Sequence, residues 1–224
     1  WSDFDTFVIL KSQTFENYKT LIEFRRKIIK AHSFLLEIDI LQHHGFIFCT
    51  EYGLDQYYSH FLPEQVLKKS KSLMGNSEIK IQYFRDQNSS IAAFSNKNDL
   101  LKSAFKNKIL YHHKYQNEYL QEDFQNINTM YQLKYFLSLM MILPALYLDA
   151  KGEPCYKKYS FSKVKGKFIN EWEIIEKASK IRSLWQIKED FPYTSNRIPE
   201  WVTELLGGNY FSRAYKLSSK MFDD

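Results

Sequence analysis

The sequence predicts an α+β fold, with a sheet-containing α/β domain at residues 1–97 and a helical bundle at residues 98–224. Short apolar runs rich in β-branched residues, which are typical of strands, occur in the first part. From about Asn98 onward the apolar residues recur at helical spacing instead. Only 7 glycines and 5 prolines occur in 224 residues, so few positions interrupt long helices.

Four segments of the first part predict strands, and two predict the helices between them. The strands are residues 4–11, 33–41, 46–51 and 79–84. Thr14 is a potential N-cap of the first helix, and Pro63 suits the first turn of the second. Apolar residues at helical spacing support both helices: Tyr18, Leu21, Ile22, Ile28 and Ile29 in the first, Val66 and Leu67 in the second.

In the second part we expect helices only. A helical run begins near Leu100, and a long buried helix covers residues 118–143, where Pro144 should kink or end it. A turn at residues 149–154 follows. Two further helices are predicted by the stripes Ile174, Ala178, Ile181, Trp185 and Ile198, Val202, Leu205, the latter ending at Gly207 and Gly208.

Composition and charge restrict the class of protein. The chain is 44% hydrophobic and 25% charged, which is ordinary for a water-soluble globular protein, and its net charge is +5. A mildly basic surface suits an anionic ligand such as a nucleotide but is too weakly charged to indicate nucleic acid by itself. Cys49 and Cys155 lack metal-type spacing and favour a reducing compartment. Residues 135–148 are too short an apolar stretch to span a bilayer, so we expect a cytoplasmic protein.

Acidic residues at two predicted strands suggest a metal site. Asp3 and Asp5 are two residues apart on a strand, so their carboxylates would point to the same face and repel each other unless a cation neutralises them. Glu37 and Asp39 would likewise share one face of the second strand. Mg²⁺ takes oxygen ligands and binds through one or two carboxylates together with substrate phosphates. The alternative is that an acid pair at a strand end is a solvated turn.

The segment Ser2-Asp3-Phe4-Asp5, followed by Phe7-Val8-Ile9-Leu10, resembles the second half of the signature of polymerase-beta superfamily nucleotidyltransferases. That signature continues with a third acid on a later strand, where Ile38-Asp39-Ile40 fits. The resemblance implies a mixed nucleotidyltransferase-type sheet with flanking helices. It also implies that Asp3 and Asp5 bind both metals, and that Asp39 binds one and activates the acceptor, with Glu37 in reserve.

The first half of the signature, a Gly-Ser turn that holds the triphosphate, is not present in this sequence. The chain starts at Trp1 without a methionine, so we expect upstream residues to be missing. Ser2 remains a candidate contact to the nucleotide.

Three further residues are candidates for the same chemistry. His43 follows the second predicted strand and could orient an acceptor, act as a base or contact a phosphate; otherwise it is a loop residue. Lys157 and Lys158 begin a basic cluster that continues with Lys163, Lys165 and Lys167. This cluster could meet nucleotide phosphates or an anionic acceptor, although charge runs on helices are usually solvated faces.

Together these observations predict an enzyme that transfers a nucleoside monophosphate from a nucleoside triphosphate to a hydroxyl, with Mg²⁺ or Mn²⁺ as the cofactor. A small-molecule or protein acceptor is favoured over nucleic acid because the positive charge is modest. The alternatives are a non-catalytic nucleotidyltransferase-like module, of the antitoxin or regulatory type, and a helical interaction protein in which the acidic motif arose by chance.

Overall fold

The structure is a computed structural model, and it describes residues 6–38, 45–58, 64–73, 80–107, 109–115, 118–123, 130–184 and 198–224. Within these residues the chain is mostly helical with small two-stranded sheets, which agrees with the α+β class. Two compact units are present, the first ending at Asp86 and the second comprising Gln87–Asp224. The domain boundary predicted after residue 97 instead falls within a helix of the second unit.

The first unit begins with a strand, a helix and a parallel strand. Strand β1 (Phe7–Leu10) pairs with β2 (Ile47–Thr50), and helix α1 (Tyr18–Ile38) connects them. Parallel strands need such a crossover because the chain must return to the starting edge of the sheet. A 3₁₀ turn covers Ser12–Phe15. Both strands lie where the apolar runs predict them.

The N-terminus of α1 is capped by Asn17 rather than by Thr14, which lies in the 3₁₀ turn. The side-chain oxygen of Asn17 accepts a hydrogen bond of 2.9 Å from the backbone N–H of Thr20. An asparagine carbonyl satisfies one of the backbone donors that every helix start leaves unpaired.

The strand predicted at residues 33–41 is wrong as far as Ile38, because α1 continues to that residue; residues 39–41 lie outside the described part. Ile28, His32 and Leu35 are half-buried at helical spacing. One turn earlier, Phe24 packs against Phe48 of β2 with ring centroids 6.1 Å apart. A short apolar run does not distinguish a helix from a strand, and here packing against the sheet selects the helix.

Four short elements complete the first unit: α2 (Glu51–Leu54), β3 (Tyr57–Tyr58), α3 (Glu64–Leu67) and β4 (Tyr83–Phe84). Strand β4 pairs in parallel with β3 and retains only the end of the strand predicted at residues 79–84. Helix α3 contains the predicted Val66 and Leu67, whereas Pro63 lies outside the described residues.

The second unit is built largely from helices. They are α4 (Gln87–Asn107), α5 (Met130–Ala150), α6 (Lys157–Lys165), α7 (Glu173–Leu184), α8 (Glu200–Leu206) and α9 (Tyr210–Asp223). Helix α5 packs against α4, α6, α7 and α9. The predicted helices at Ile174 and at Val202 are confirmed as α7 and α8, and α8 ends at Gly207, whose φ is +68°.

Two predictions for this unit are wrong. Strands do occur after Asn98: β5 (Ile109–Tyr115) and β6 (Glu118–Asp123) form an antiparallel hairpin. The helix predicted from residue 118 therefore begins at Met130 instead. The hairpin segments are rich in tyrosine and leucine or isoleucine, and their strand preference depends strongly on context.

Helix α5 also continues through Pro144 to Ala150. A proline inside a helix removes one backbone hydrogen bond and normally disrupts the helix. Here Leu143, Tyr147 and Leu148, on either side of Pro144, are buried, so tertiary packing holds the helix together. The resulting apolar segment Gln132–Ala150 is long and apolar enough to cross a membrane, unlike the shorter stretch 135–148 considered in the sequence, and 56% of its apolar window is buried inside the protein.

Side-chain hydrogen bonds connect α4 with its neighbours. Ser90 donates to Asp149 of α5 at 2.8 Å, and Ser218 of α9 donates to Asn98 at 2.8 Å in a fully buried position. Buried polar groups are costly unless they are paired, so these bonds fix how α5 and α9 meet α4.

Replacing Leu101 by alanine should destabilise the second unit. Leu101 is 0% exposed on α4, and deleting a buried leucine side chain costs about 2–5 kcal/mol. The control, Leu184→Ala, removes a side chain that is 51% exposed and should change the free energy of unfolding by less than about 0.5 kcal/mol. Urea unfolding followed by circular dichroism makes the comparison; equal effects of the two substitutions would contradict the described core.

Candidate functional site

The predicted metal ligands Asp3, Asp5 and Asp39, together with Ser2 and His43, lie outside the described residues. The structure does describe the residues that adjoin them. Thr6 follows Asp5 directly, and its carbonyl accepts a hydrogen bond of 2.9 Å from the backbone N–H of Ile47, the first residue of β2. This bond extends the β1–β2 ladder by one residue at the edge where both strands start, which we call the amino edge.

Helix α1 ends at Ile38, directly before Asp39. Because α1 leads from the carboxyl end of β1 to the start of β2, its last residues lie on the return path to the amino edge. The described residues thus provide two chain segments, one ending at Thr6 and one at Ile38, that adjoin the predicted acids.

Glu37 does not have the predicted position. It is the penultimate residue of α1 and its side chain is exposed, whereas the sequence placed it on a strand beside Asp39. Residues 33–38 are helical, so the argument that Glu37 and Asp39 share one face of a strand no longer holds. In the part of the chain that the structure describes, no group of three or more His, Cys, Asp or Glu side chains is arranged to hold a metal ion.

His32 is a polar residue near the amino edge that the sequence did not single out. Its ring meets the ring of Phe46, the residue before β2, at a centroid distance of 6.2 Å. The Nε2 atom is buried and has no hydrogen-bond partner among the described residues. Its neighbours in sequence, Ala31 and Ser33, form no recognisable motif with it, so nothing in the local pattern indicated it.

The members of the predicted lysine cluster have different environments. Lys157 and Lys158 are the first two residues of α6, the former half-buried and the latter exposed. Lys165 pairs with Glu176 of α7 at 2.6 Å. Lys163 and Lys167 instead line a cleft in the second unit.

We call this cleft the lysine cleft. Its volume is about 430 Å³ and it is lined by Tyr147, Leu148, Lys151, Glu153, Lys163 and Lys167. The lining comes from the end of α5, the turn after it, α6 and the turn after α6. Several elements therefore bring lysines together that are distant in sequence.

Tyr147 is the centre of the hydrogen-bond network beside the lysine cleft. Its side chain is 1% exposed, and its ring meets those of Phe94 and Phe168 edge-on at centroid distances of 6.1 and 5.5 Å. The hydroxyl donates to Oδ2 of Asp224 at 2.5 Å and accepts a hydrogen bond of 3.0 Å from Nζ of Lys167. A buried hydroxyl needs such partners, and here both of them are charged.

Asp224 receives three donors on one oxygen. Besides the hydroxyl of Tyr147, Nζ of Lys151 and Nζ of Lys167 lie 3.4 and 3.5 Å from its Oδ2. The hydrogen bond from Tyr147 and the positive charge of both lysines hold the pKa of the Asp224 carboxyl below its usual value. The site is thus arranged to stabilise a negatively charged oxygen.

The pKa values of the two partners shift in the opposite direction. Burial, followed by the hydrogen bond to Asp224, raises the pKa of the Tyr147 hydroxyl. The hydrogen bond to Tyr147 raises the pKa of Lys167. At neutral pH the tyrosine is therefore neutral and the lysine is charged, so Tyr147 keeps the proton that it donates to Asp224.

Only some of the residues that line the lysine cleft, or contact its lysines, were predicted from the sequence. Lys163 and Lys167 belong to the predicted basic cluster, but Tyr147, Lys151 and Asp224 were not singled out. The only indication in the sequence was Tyr147 within the apolar run of α5, because the hydroxyl of a buried tyrosine usually forms a hydrogen bond at the rim of the core.

No family model, no curated protein and no solved structure matches this chain. The assignment of function therefore rests on residues and geometry.

Asp224→Asn should alter how stability depends on pH. The folded-state pKa of Asp224 is below the unfolded value, so its contribution is present above that unfolded value and is lost as pH falls through the folded one. We expect the variant to be less stable than the parent at pH 6 and this difference to shrink as pH falls toward 3. Chemical unfolding at several pH values measures the difference.

Asp223→Asn is the matched control, because Asp223 is the last residue of α9, directly before Asp224, and its side chain has no hydrogen bond or ion pair with the described residues. This variant should keep the pH dependence of the parent. A difference between Asp224→Asn and the parent that stayed constant from pH 6 to pH 3 would contradict the described network.

Proposed function

We propose that the protein transfers a nucleoside monophosphate from a nucleoside triphosphate to a hydroxyl of a small-molecule or protein acceptor, at the amino edge of the β1–β2 sheet. The observation that carries the proposal is the hydrogen bond between Thr6 and Ile47. It supports the idea that the segment bearing Asp3 and Asp5 and the segment that follows Ile38 meet at one edge.

The proposed chemistry needs two or three carboxylates close together. Asp3 and Asp5 would bind Mg²⁺ or Mn²⁺, and Asp39 would complete the site and activate the acceptor hydroxyl. The metal ions would neutralise the triphosphate and lower the pKa of the attacking hydroxyl, while the protein contributes positioning. His43 is a proposed aid to the acceptor.

The correction at residues 33–38 changes the support for Asp39 but not its proposed role. The role of Asp39 is now supported by the connection between the strands and not by alternation along a strand. Because β1 and β2 are parallel, α1 must lead the chain back toward the amino edge. Glu37 is no longer proposed as a ligand because it lies on an exposed part of α1. A mixed nucleotidyltransferase-type sheet followed by a helical bundle remains part of the same proposal.

Contacts to the nucleotide phosphates are proposed for Ser2 only. Lys157 and Lys158 belong to the second unit, and a role for them in nucleotide binding stays a prediction from the sequence.

Asp3→Asn and Asp5→Asn should each abolish metal binding that depends on nucleotide, because each substitution removes a charged ligand. The measurement is calorimetric titration of Mn²⁺ into the natural full-length protein, with and without a non-hydrolysable nucleoside triphosphate. Glu37→Gln is the matched control: it removes an acid from the exposed end of α1 and should leave binding within about twofold of the parent, as expected for surface changes.

Each outcome of this titration has a defined meaning. Unchanged binding in both aspartate variants would refute the metal site. Metal and nucleotide binding by the parent, without release of pyrophosphate for any acceptor, would instead identify a non-catalytic binding or regulatory module.

A further inference from the structure

We infer that the lysine cleft of the second unit binds a small phosphate monoester that carries hydroxyl groups. This binding site is formed by described side chains of the second unit and is distinct from the catalytic chemistry proposed at the amino edge.

The charges that line the lysine cleft favour an anion. Its lining has three lysines and one glutamate, a formal net charge of +2, which becomes +1 when the adjacent Asp224 is included. A neighbouring depression, which shares Lys167 with it, has two lysines against three acids and a formal net charge of −1. An anion is therefore directed to the first cleft and away from the second. A phosphate monoester, whose second pKa is about 6, carries nearly two negative charges at neutral pH and matches this lining.

The donors beside the cleft already converge on a negatively charged oxygen. Tyr147, Lys151 and Lys167 lie 2.5, 3.4 and 3.5 Å from Oδ2 of Asp224. An ammonium group has three donors, so both lysines keep hydrogens that Asp224 does not use. Lys163 has no ion pair or hydrogen bond with any described residue. The cleft thus holds more donors than its own carboxylates consume.

The lysines can turn to a ligand at little cost. Lys151 and Lys167 are 40% and 57% exposed, and ion pairs at such exposure contribute little to stability. Asp224 carries a single negative charge, whereas a phosphate monoester carries about two. Such a ligand would therefore compete with Asp224 for the same ammonium groups.

The wall of the cleft that the Tyr147 ring forms is fixed before a ligand binds. The Nζ atoms of Lys151 and Lys167 lie 5.8 and 5.5 Å from the centroid of the buried Tyr147 ring, close enough for cation–π attraction. The fixed ring forms one wall of the cleft, and a wall that does not have to be ordered reduces the cost of binding. The volume of about 430 Å³ lies near the lower end of the range for small-molecule sites, which suits a small ligand.

Glu153 determines which kind of phosphate compound the cleft favours. Glu153 has no ion pair with the described residues and offers a carboxylate that can accept hydrogen bonds from hydroxyl groups. The same carboxylate repels a second phosphate. A hydroxylated monoester is therefore favoured over a polyphosphate or a nucleic-acid backbone.

The test uses ribose 5-phosphate as the probe and calorimetric titration of the full chain at low ionic strength. Ribose 5-phosphate should bind, and ribose without its phosphate should give no heat of binding. Lys151→Gln and Lys163→Gln should each weaken binding by about fivefold, which corresponds to about 1 kcal/mol. The matched control is Lys158→Gln, an exposed lysine on the same helix that does not line the cleft, and its affinity should equal that of the parent.

Asp224→Asn provides a test in the opposite direction. Removing the competing carboxylate should tighten binding of ribose 5-phosphate, whereas a general loss of structure would weaken it. Absence of binding to the parent at millimolar probe refutes the inference. Equal losses in Lys158→Gln and Lys163→Gln, or weaker binding of ribose 5-phosphate in an Asp224→Asn variant whose circular dichroism matches that of the parent, would each refute it as well.

Discussion

Burial of helix α5 is the constraint on which the second unit depends. Leu133, Phe136, Met140 and Leu143 are fully buried along it, and α4, α6, α7 and α9 contact it. Full burial of one such side chain contributes about 1.5–3 kcal/mol, so the contacts of α5 outweigh the loss of one backbone hydrogen bond at Pro144. Because α5 is apolar on nearly all sides, the four helices that contact it pack around it.

The lysine cleft follows from the same constraint. Tyr147 extends the buried face of α5 toward the helix end, and its ring packs like the other core residues while its hydroxyl needs polar partners. Asp224 supplies an acceptor and Lys167 a donor, from two different parts of the chain. The hydrogen-bond requirement of one buried hydroxyl thus brings charged side chains together at the rim of the core. Their donors point to one place, where an anion can bind.

The sequence predicts elements well where one period dominates over a sufficient length. Helices α7 and α8 have a clear apolar stripe, and β1 is a compact apolar run next to polar residues. Residues 33–38 show the opposite case, because an apolar run of this length fits a helix and a strand equally well and only packing decides. The lysine cleft was beyond prediction because Tyr147 and Asp224 are 77 residues apart and meet only through the packing of α5 and α9.

At the amino edge, distances along the chain explain why the proposed acids can lie near one another even though residues 33–38 do not form a strand. The contact between His32 and Phe46 places His32 of α1 beside the residue that precedes β2. The helix ends six residues later at Ile38, about 9 Å further along its axis at 1.5 Å per residue. Thr6 is bonded to Ile47, one residue beyond Phe46, so the starting points of both acid-bearing segments lie near the same end of the sheet. A strand alternation would have fixed the direction of Glu37 and Asp39 together. A helix end fixes neither direction: α1 ends at Ile38 with Glu37 exposed, so the proposal for Asp39 depends only on the direction in which α1 returns the chain.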